Sequence, residues 1–437
     1  MSHRHLHLVG VAGVGMNPLA QVLLAQGYRL TGSDRYLDTG QLPEAVEKLR
    51  RAGLEVFPQD GSAISPGTEA VVASTAVEDD NPDLAAARRL GVPIVRRAEM
   101  LARLARDKTT IAITGTSGKT TVTGMVGFAL ERLGADPTVV NGGIVVDWED
   151  DRRVGNVRIG RSGPWVVEAD ESDRSLLLFR PTWAVVTNVS ADHFGLEESR
   201  RLFEQFVRQV ERTVIGWDDD LLESFAPDLG PSGSSFVFRG ARFRVRMPGR
   251  HNAENALQAA ALCVELGYPP AAVAEALGQF RGIRRRLEVV GTARGITVVD
   301  DYAHNPAKIR AAWSALAPHH RRVVLVWRPH GFGPLAKMFD DLVALFRHVA
   351  ARDTTVLLLP VYYAGGTVNP TVTSGDLAER LAREGLPVEA VAGYDHCVAA
   401  VAERAREGDA VVVMGARDPE LPTLARRILE GLDTLSA

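Results

Sequence analysis

The residues of this chain that most clearly could do chemistry surround Lys119, in the run Gly115-Thr116-Ser117-Gly118-Lys119-Thr120-Thr121. Glycines let backbone N–H groups approach phosphate oxygens closely, and a following helix adds partial positive charge. The lysine can reach the β- and γ-phosphates of a nucleotide, and the threonine hydroxyl after it can bind magnesium. The spacing is shorter than G-x-x-x-x-G-K-[ST], because Ile113 stands where the first glycine would be. The run therefore predicts a shortened phosphate-binding loop.

Acidic and polar side chains follow two further predicted strands, at the point where each strand ends. The run Glu168-Ala169-Asp170-Glu171-Ser172-Asp173 comes after the strand at 165–167, and Asp192-His193 follows the strand at 183–187. Alone, such a run is more often a solvated loop, and a single histidine is more often structural. The carboxyl ends of parallel strands meet at one sheet edge, so these groups are expected beside the phosphate loop. A magnesium-binding role is favoured there.

A further polar cluster opens the last third of the chain, in the run Asp300-Asp301-Tyr302-Ala303-His304-Asn305-Pro306. Asn305 as a helix cap and Pro306 as the first helical residue would explain part of it. A helix start does not explain two adjacent aspartates, a tyrosine and a histidine together. The run is therefore a second candidate site.

The N-terminal turn Gly10-Val11-Ala12-Gly13-Val14-Gly15 is similar to a dinucleotide-binding turn with its glycines in a different order. Asp34 follows the predicted strand at 29–31, where an acidic residue would bind a ribose. The turn predicts a nucleotide-like ligand without specifying which, so a nicotinamide-dependent dehydrogenase stays open at this point.

The elements that must position these residues alternate between short apolar runs and longer helical patterns, which predicts parallel sheets covered by helices. Charged segments at 106–108 and 281–286 are candidate linkers. The chain is therefore expected to be an α/β protein of three domains, a number that its 437 residues accommodate. The predicted strands are 5–9, 29–31, 69–73, 93–95, 109–113, 165–168, 183–187, 297–300, 323–327, 355–359, 387–392 and 410–414.

Composition sets limits on partners and location. With 46% hydrophobic and 24% charged residues and a formal net charge of −4, the chain gives no bulk reason to expect nucleic acid or an anionic membrane as partner. Cys263 and Cys397 lie far apart in apolar runs, which predicts buried thiols compatible with a reducing cytoplasm. We expect no signal peptide, and no apolar run is long enough to span a bilayer.

Taken together, the motifs closely resemble those of the Mur ligase family over nearly the whole chain. Within that family they resemble the branch that adds an amino acid or peptide to UDP-N-acetylmuramate. The further segments that carry the resemblance are Gly32-Ser33-Asp34, Ser74-Thr75-Ala76, Asp80-Asn81-Pro82, the run 95–101, Gly249-Arg250-His251-Asn252-Ala253-Glu254-Asn255-Ala256 and Arg285-Arg286.

The resemblance implies an architecture of three domains. These are an N-terminal Rossmann-like domain at 1–106 that binds a UDP-sugar, a central P-loop ATPase-like domain at 107–286 and a C-terminal Rossmann-like domain at 287–437 that binds the amino acid. It also implies a cytoplasmic, ATP-dependent and ADP-forming ligase of peptidoglycan precursor synthesis, with ATP and Mg²⁺ as cofactors. The substrate carboxylate would become an acyl phosphate, which the amine of an amino acid, L-alanine by default, would attack.

The resemblance implies roles for individual residues. The catalytic group is Lys119, His193, His304 and Asp301, and the base that deprotonates the amine stays open between His193 and His304. ATP-binding residues are Gly115, Thr116, Ser117, Gly118, Lys119, Thr120, Thr121, His251, Asn252, Asn255 and Arg286. Residues for the other substrates are Gly13, Gly15, Met16, Ser33, Asp34, Ser74, Thr75, Asn81, Tyr302 and His330. The metal ligands are Thr120, Glu168 and His193.

Several positions depart from the alanine-adding branch. Ser117 stands where those enzymes typically carry histidine, and Gly331 follows His330 where they carry arginine. The segment Tyr362-Tyr363-Ala364-Gly365-Gly366 lacks an expected glutamate. No lysine lies between Lys119 and Lys308, so the carbamoylated lysine of some relatives is missing, as it is in the alanine-adding branch.

These departures keep alternatives open. A paralogue could attach a preformed peptide in recycling, or act on another substrate. From other classes, a dehydrogenase would leave the phosphate loop unexplained, and a regulatory NTPase would leave the third domain unexplained.

Overall fold

The computed structural model describes residues 4–40, 42–190, 194–350, 353–363 and 372–434. Within these ranges the chain divides into two compact units. Of the described residues, the first unit comprises those up to 226, together with 237–243 and 254–283, and the second comprises 227–236, 244–253 and those from 284 onward.

The first sheet lies at the start of the first unit and has five strands in the order β3-β2-β1-β4-β5, all parallel. Its central strand β1 is buried along nearly its whole length, as expected for a strand with neighbours on both sides and helices above and below. The elements are β1 His5–Val9, α1 Met16–Ala25, β2 Arg29–Ser33, α2 Arg35–Asp38, α3 Glu44–Arg51, β3 Glu55–Phe57, β4 Ala70–Ala73, α4 Pro82–Leu90, β5 Ile94–Arg96 and α5 Arg97–Ala105.

The second sheet has six strands in the order β11-β10-β6-β9-β7-β8, of which only the β7–β8 pair is antiparallel. Four of the five residues of strand β6 are β-branched and all five are buried, as is typical of the interior of a parallel sheet. Its elements are β6 Thr110–Thr114, α6 Lys119–Arg132, β7 Thr138–Val140, β8 Val157–Arg158, β9 Trp165–Glu168, a 3₁₀ turn Ser175–Leu178, β10 Trp183–Val186, α7 Leu196–Val207 and β11 Val214–Ile215.

The first and second sheets share one apolar cluster. It contains Leu8 and Leu19 from the first sheet and its helix α1, together with Val167 and Phe203 from the second sheet and its helix α7. The region up to residue 226 is therefore packed as one body.

The segment that follows the second sheet comprises three short strands and two helices. Strands β12 and β13 pair antiparallel, and α9 is part of the first unit. The bounds are β12 Asp228–Gly230, β13 Gly233–Phe238, β14 Ala241–Val245, α8 Arg250–Glu265 and α9 Pro270–Gln279.

The third sheet lies in the second unit and has the order β15-β16-β20-β17-β18-β19, with β15 antiparallel at one edge. Separate apolar clusters cover its two faces, one around Trp327 and Phe346 and one around Val411 and Leu424. Its elements are β15 Glu288–Ala293, β16 Ile296–Asp301, α10 Pro306–Leu316, a 3₁₀ turn Ala317–His319, β17 Val323–Arg328, α11 Phe332–Lys337, α12 Phe339–Ala350, β18 Thr354–Leu358, α13 Ser374–Ala382, β19 Val388–Ala390, α14 Tyr394–Arg404, β20 Ala410–Gly415 and α15 Leu421–Thr434.

The predicted fold class is confirmed, since three largely parallel sheets with helices follow one another along the chain. The domain boundaries after residues 106 and 286 stay predictions. Cys263 and Cys397 are buried as free thiols, and burial raises the pKa of each to about 12. No helix of the part that the structure describes is long and apolar enough to cross a membrane.

Candidate active site

The phosphate loop joins β6 to α6, as the sequence predicted. Gly115 and Gly118 both adopt positive φ, at 126° and 88°, and Lys119 is the first residue of a 14-residue helix. A Cβ on Gly118 would lie 2.5 Å from Asn255 Oδ1 on α8, so only glycine fits there. The loop therefore presents backbone N–H groups at a helix N-terminus, as a phosphate-binding site requires.

The segment after β10 shapes this short loop. Thr116 N donates to Asn188 O over 3.0 Å, and Ser117 N donates to Asn188 Oδ1 over 3.1 Å. Asn188 Nδ2 and the Thr187 hydroxyl both donate to Ser117 O, at 2.8 and 2.5 Å. The Thr116 hydroxyl also bonds Ser190, donating to its carbonyl over 3.2 Å. Two strand ends thus fix the main chain of the loop together.

Lys119 is held on two sides. Its Nζ donates to Gly115 O over 2.8 Å and to Glu171 Oε2 over 2.5 Å. Glu171 is 3% exposed, and burial raises the pKa of its carboxyl. Sequence reasoning treated Glu171 only as part of an acidic run, because nothing in the pattern shows that it meets a lysine 52 positions earlier.

Thr120 and Glu168, two of the three expected metal ligands, meet directly. The Thr120 hydroxyl donates to Glu168 Oε1 over 3.0 Å, while Gly142 N donates to Glu168 Oε2 over 2.7 Å. A hydroxyl and a carboxylate are the oxygen ligands that Mg²⁺ prefers, so this pair fits the ion. His193, the third, lies outside the described residues. Among the described residues no group of three His, Cys, Asp or Glu side chains forms a ready metal site.

The residues expected to bind the sugar nucleotide lie at the carboxyl ends of three adjacent strands of the first sheet. The glycine turn follows β1, Ser33 and Asp34 end β2, and Ser74 and Thr75 follow β4. The residues expected to bind the sugar nucleotide therefore lie at one edge of the first sheet. Gly15 ends the turn, and a Cβ added to it would lie 3.0 Å from Arg97 Nε. Met16, which follows, is buried in the core.

Three of the side chains expected to bind the sugar nucleotide form hydrogen bonds with other groups of the protein. Ser33 donates to Asp83 Oδ2 over 2.5 Å and is fully buried. Asp34 Oδ2 accepts a hydrogen bond from Ala12 N over 2.8 Å, next to Gly13 in the glycine turn. The Asn81 side chain caps the N-terminus of α4. They shape the turn, and direct contact of their side chains with a ligand stays a prediction.

Three predicted ATP-binding residues lie at the start of α8. Asn255 belongs to the first unit and packs against Gly118. His251 and Asn252 belong to the second unit, where Asn252 Nδ2 donates to Pro248 O over 2.8 Å. Burial and the nearby Arg286 charge lower the pKa of His251 to about 4.

An aromatic and cationic cluster lies after β16 in the second unit. The guanidinium carbons of Arg285 and Arg286 lie 5.1 and 5.4 Å from the ring centre of Tyr302. The His304 ring centre is 5.7 Å from that of Tyr302 and 5.4 Å from that of His330. Burial lowers the pKa of both histidines to about 4, so both are neutral at neutral pH.

Asp301, expected to be catalytic, bonds the main chain. Its two oxygens accept Leu287 N at 2.7 Å and Ala303 N at 2.8 Å, and it is 9% exposed. Asn305 caps α10 by accepting Lys308 N, so helix-start chemistry explains part of this segment. The contacts of Asp301 describe a residue that positions the loop, and its catalytic role stays a prediction.

Sequence reasoning missed a second cluster around Arg328. Arg328 Nη1 donates to Asp418 at 2.5 Å and to the Tyr394 hydroxyl at 2.8 Å. The rings of Tyr362 and Tyr394 lie 5.3 and 5.2 Å from its guanidinium carbon. The one available signal was the departure at Gly331, three residues after Arg328.

The models of three protein-family domains match this chain, one after another along the sequence. They are the Mur ligase family catalytic domain at residues 5–109, the Mur ligase middle domain at 113–226 and the Mur ligase glutamate ligase domain at 285–417.

The relatives agree with this result. The UDP-N-acetylmuramate–L-alanine ligase of Solibacter usitatus is 36% identical, over 94% of this chain and 92% of its own. The enzyme of the same name from Anaeromyxobacter dehalogenans is 38% identical, over 97% and 98%. The crystal structure of UDP-N-acetylmuramate–alanine ligase from Thermotoga maritima matches with a TM-score of 0.80 and 26% identity, over 99% and 100%. A murein peptide ligase from Psychrobacter arcticus shares the fold, with a TM-score of 0.67 at 22% identity.

Proposed function

Because the chain belongs to the Mur ligase family, we propose that it is an ATP-dependent ligase that joins the carboxylate of UDP-N-acetylmuramate to L-alanine, in peptidoglycan precursor synthesis. The observation that carries the proposal is the phosphate loop, with Lys119 at its helix start and Thr120 bonded to Glu168. Its relatives at 36–38% identity, over more than nine-tenths of both chains, carry the same activity in their names.

In the first step the substrate carboxylate attacks the γ-phosphorus of ATP, the bond to the β-phosphate oxygen breaks, and ADP leaves. In this proposal the Lys119 ammonium, which starts α6, neutralises charge on the transferring phosphoryl group. The N–H groups from Gly118 into the first turn of α6 hold the remaining phosphates, since those of Thr116 and Ser117 already donate to Asn188. Thr120, Glu168 and His193 would hold Mg²⁺, which would supply further positive charge to the phosphoryl transfer.

In the second step the amine of L-alanine attacks the acyl carbon, the new C–N bond forms, and inorganic phosphate leaves. A base must take a proton from the incoming ammonium. His304 is neutral at neutral pH because its pKa is about 4, and its Nδ1 donates to Tyr302 O over 3.0 Å, which leaves Nε2 as the proton acceptor. The same low pKa makes the ring a weak base in the unliganded protein. His193 is the alternative base, and the two are distinguished by substitution.

The finer assignments are part of the same proposal. Residues 1–106 bind the sugar nucleotide, 107–286 bind ATP and 287–437 bind the amino acid. The cluster of Tyr302, His304 and His330 faces the amino acid. We place the protein in the cytoplasm, where two buried free thiols stay reduced and ATP is available.

One assay tests the proposal. Phosphate release from Mg²⁺·ATP is measured with UDP-N-acetylmuramate and a panel of single amino acids and one tripeptide. We expect release that requires both the sugar nucleotide and L-alanine. Release only with the tripeptide would identify a recycling ligase, and release that ignores both substrates would identify a plain NTPase.

A further inference from the structure

Three amide side chains, two of them buried and one half-buried, join the first sheet to the second within the first unit. They are Asn17 in the first turn of α1, Gln21 one turn later and Asn156 just before β8. Gln21 Nε2 donates to Asn17 Oδ1 and to Asn156 Oδ1, each over 2.7 Å. Asn156 Nδ2 donates to Asn17 Oδ1 over 3.3 Å. The helix that follows the glycine turn is therefore bonded directly to the strand pair β7–β8.

The hydrogen bonds continue from this amide cluster to the carboxylate of Glu168. Asn156 O accepts Asn141 N at 3.0 Å, and Asn141 Oδ1 accepts Gly142 N at 3.1 Å. The same Gly142 N donates to Glu168 Oε2 over 2.7 Å. A Cβ on Gly142 would lie 2.6 Å from that oxygen, so the main chain approaches the carboxylate as closely as possible. A shift of Asn156 would therefore change the position of Glu168.

The amide groups of this connection are buried, which makes unsatisfied hydrogen bonds costly. Asn17, Asn141 and Asn156 are 2%, 1% and 5% exposed. Asn17 Oδ1 accepts two bonds, which fixes the orientation of the amide, yet its Nδ2 is buried with no hydrogen-bond partner among the described residues. A buried amide group without a partner is costly, whereas apolar residues would fill such a junction without that cost. The polar junction therefore calls for a role beyond packing.

We propose that Asn17, Gln21 and Asn156 are positioning residues that couple the two halves of the first unit. Occupation of the glycine turn by the sugar nucleotide displaces the start of α1, and the amide cluster transmits this to Gly142 and Glu168. The sugar nucleotide and Mg²⁺·ATP then bind cooperatively. This inference rests on the proposed function, because it takes the glycine turn and Glu168 as parts of the two ligand sites.

The test measures the coupling directly, because cooperativity is a reciprocal change in affinity. Isothermal titration gives the affinity of the full chain for Mg²⁺ with a non-hydrolysable ATP analogue, with and without saturating UDP-N-acetylmuramate. For the wild type we expect the sugar nucleotide to raise nucleotide affinity at least about fivefold. In Asn156→Ala this ratio should fall to about one, while each ligand alone keeps its affinity within about twofold.

Two further variants distinguish a loss of coupling from a loss of folding. Gln21→Met removes the bonds of a half-buried side chain and is milder, so it should lower the coupling with an unchanged thermal melting temperature. Thr138→Val is the matched control, since Thr138 lies on β7 and bonds Gly160, outside the amide cluster. It should keep the wild-type ratio.

The possible outcomes are distinct. A wild type that binds both ligands without coupling, or Asn156→Ala and Gln21→Met variants that keep the coupling, would overturn the inference alone. A wild type that binds neither UDP-N-acetylmuramate nor the nucleotide would overturn the proposed function, and the inference with it.

Discussion

The Thr120 hydroxyl donates to Glu168 Oε1 over 3.0 Å, across 48 positions of sequence. This bond joins the helix after the phosphate loop to the end of the neighbouring strand β9. The second carboxylate oxygen is held by Gly142 N, so the group has one defined orientation. We propose that Glu168 is a metal ligand, and a ligand with a fixed orientation loses little freedom when the ion binds.

Gly142→Ala tests that orientation. The added Cβ would lie 2.6 Å from Glu168 Oε2, so the carboxylate must turn away from Thr120. We expect the Mg²⁺ concentration for half-maximal activity to rise about tenfold or more, as for other changes to groups that orient a metal ligand. Titration of phosphate release with Mg²⁺ measures this. Gly393→Ala is the control, because a Cβ there meets nothing within 4 Å, and an equal effect in both variants would contradict the argument.

Lys119→Ala removes the ammonium at the helix start. Turnover should fall by about 10³-fold or more, since one positioned charge on the transferring phosphoryl group contributes several kcal/mol. The fold should remain, because Asn188 holds the main chain of the loop and the buried Glu171 carboxyl, whose pKa is already raised, can take up a proton once Lys119 is removed. Circular dichroism and phosphate release check both points. Lys108→Ala, at an exposed lysine before β6, should behave as the wild type, and substantial turnover by Lys119→Ala would refute the assigned role.

Asp83→Ala should destabilise the first sheet. Asp83 is fully buried and accepts bonds from Ser33 at 2.5 Å, from Gly61 N at 2.9 Å and from His7 Nε2 at 3.3 Å. Its loss leaves these groups without a partner, for which we expect about 3–5 kcal/mol in the free energy of unfolding by urea. Asp79→Ala, at an exposed carboxylate, should change it by less than about 0.5 kcal/mol. Similar values for the two variants would count against this account.

Acid should destabilise the second unit through its neutral histidines. Burial lowers the pKa of His304 and His330 to about 4, below the ordinary 6.5. Between these values the unfolded chain binds more protons, so stability is complete above pH 6.5 and falls as the pH approaches 4. Asp300, whose pKa burial raises to about 6, contributes in the opposite sense over the same range. The histidine contribution is therefore the difference between the urea midpoints of the wild type and of His304→Gln at pH 7, 5.5 and 4.5, which should grow as the pH falls. His304→Gln should weaken the dependence, and an unchanged dependence in that variant would exclude His304 as a source.

The elements of the fold were largely predictable from the sequence. The strands at 5–9, 165–168 and 410–414 were placed within a residue of their observed ends, because buried parallel strands appear as short apolar runs between glycine-rich turns and helices. Short edge strands such as β3 and β8 were missed, since two or three residues leave no periodic pattern.

The site was predictable where one segment supplies it and where parallel strands end at one sheet edge, as with Thr120 and Glu168. The phosphate loop follows from local spacing, and so does the cap at Asn305. The bonds of Lys119 to Glu171 and of Arg328 to Asp418 join residues 52 and 90 positions apart, and no local pattern encodes such pairings. Asn156 lies in no recognised motif, so only the structure shows that it joins two sheets.

The bonds from Asn188 to the phosphate loop have a consequence for binding thermodynamics. A loop that becomes ordered only on binding loses roughly 1–2 kcal/mol of backbone entropy per residue at 25 °C. Thr116 and Ser117 are already fixed by the strand end beside them, so the nucleotide does not have to organise them. More of its contact energy is then available as affinity.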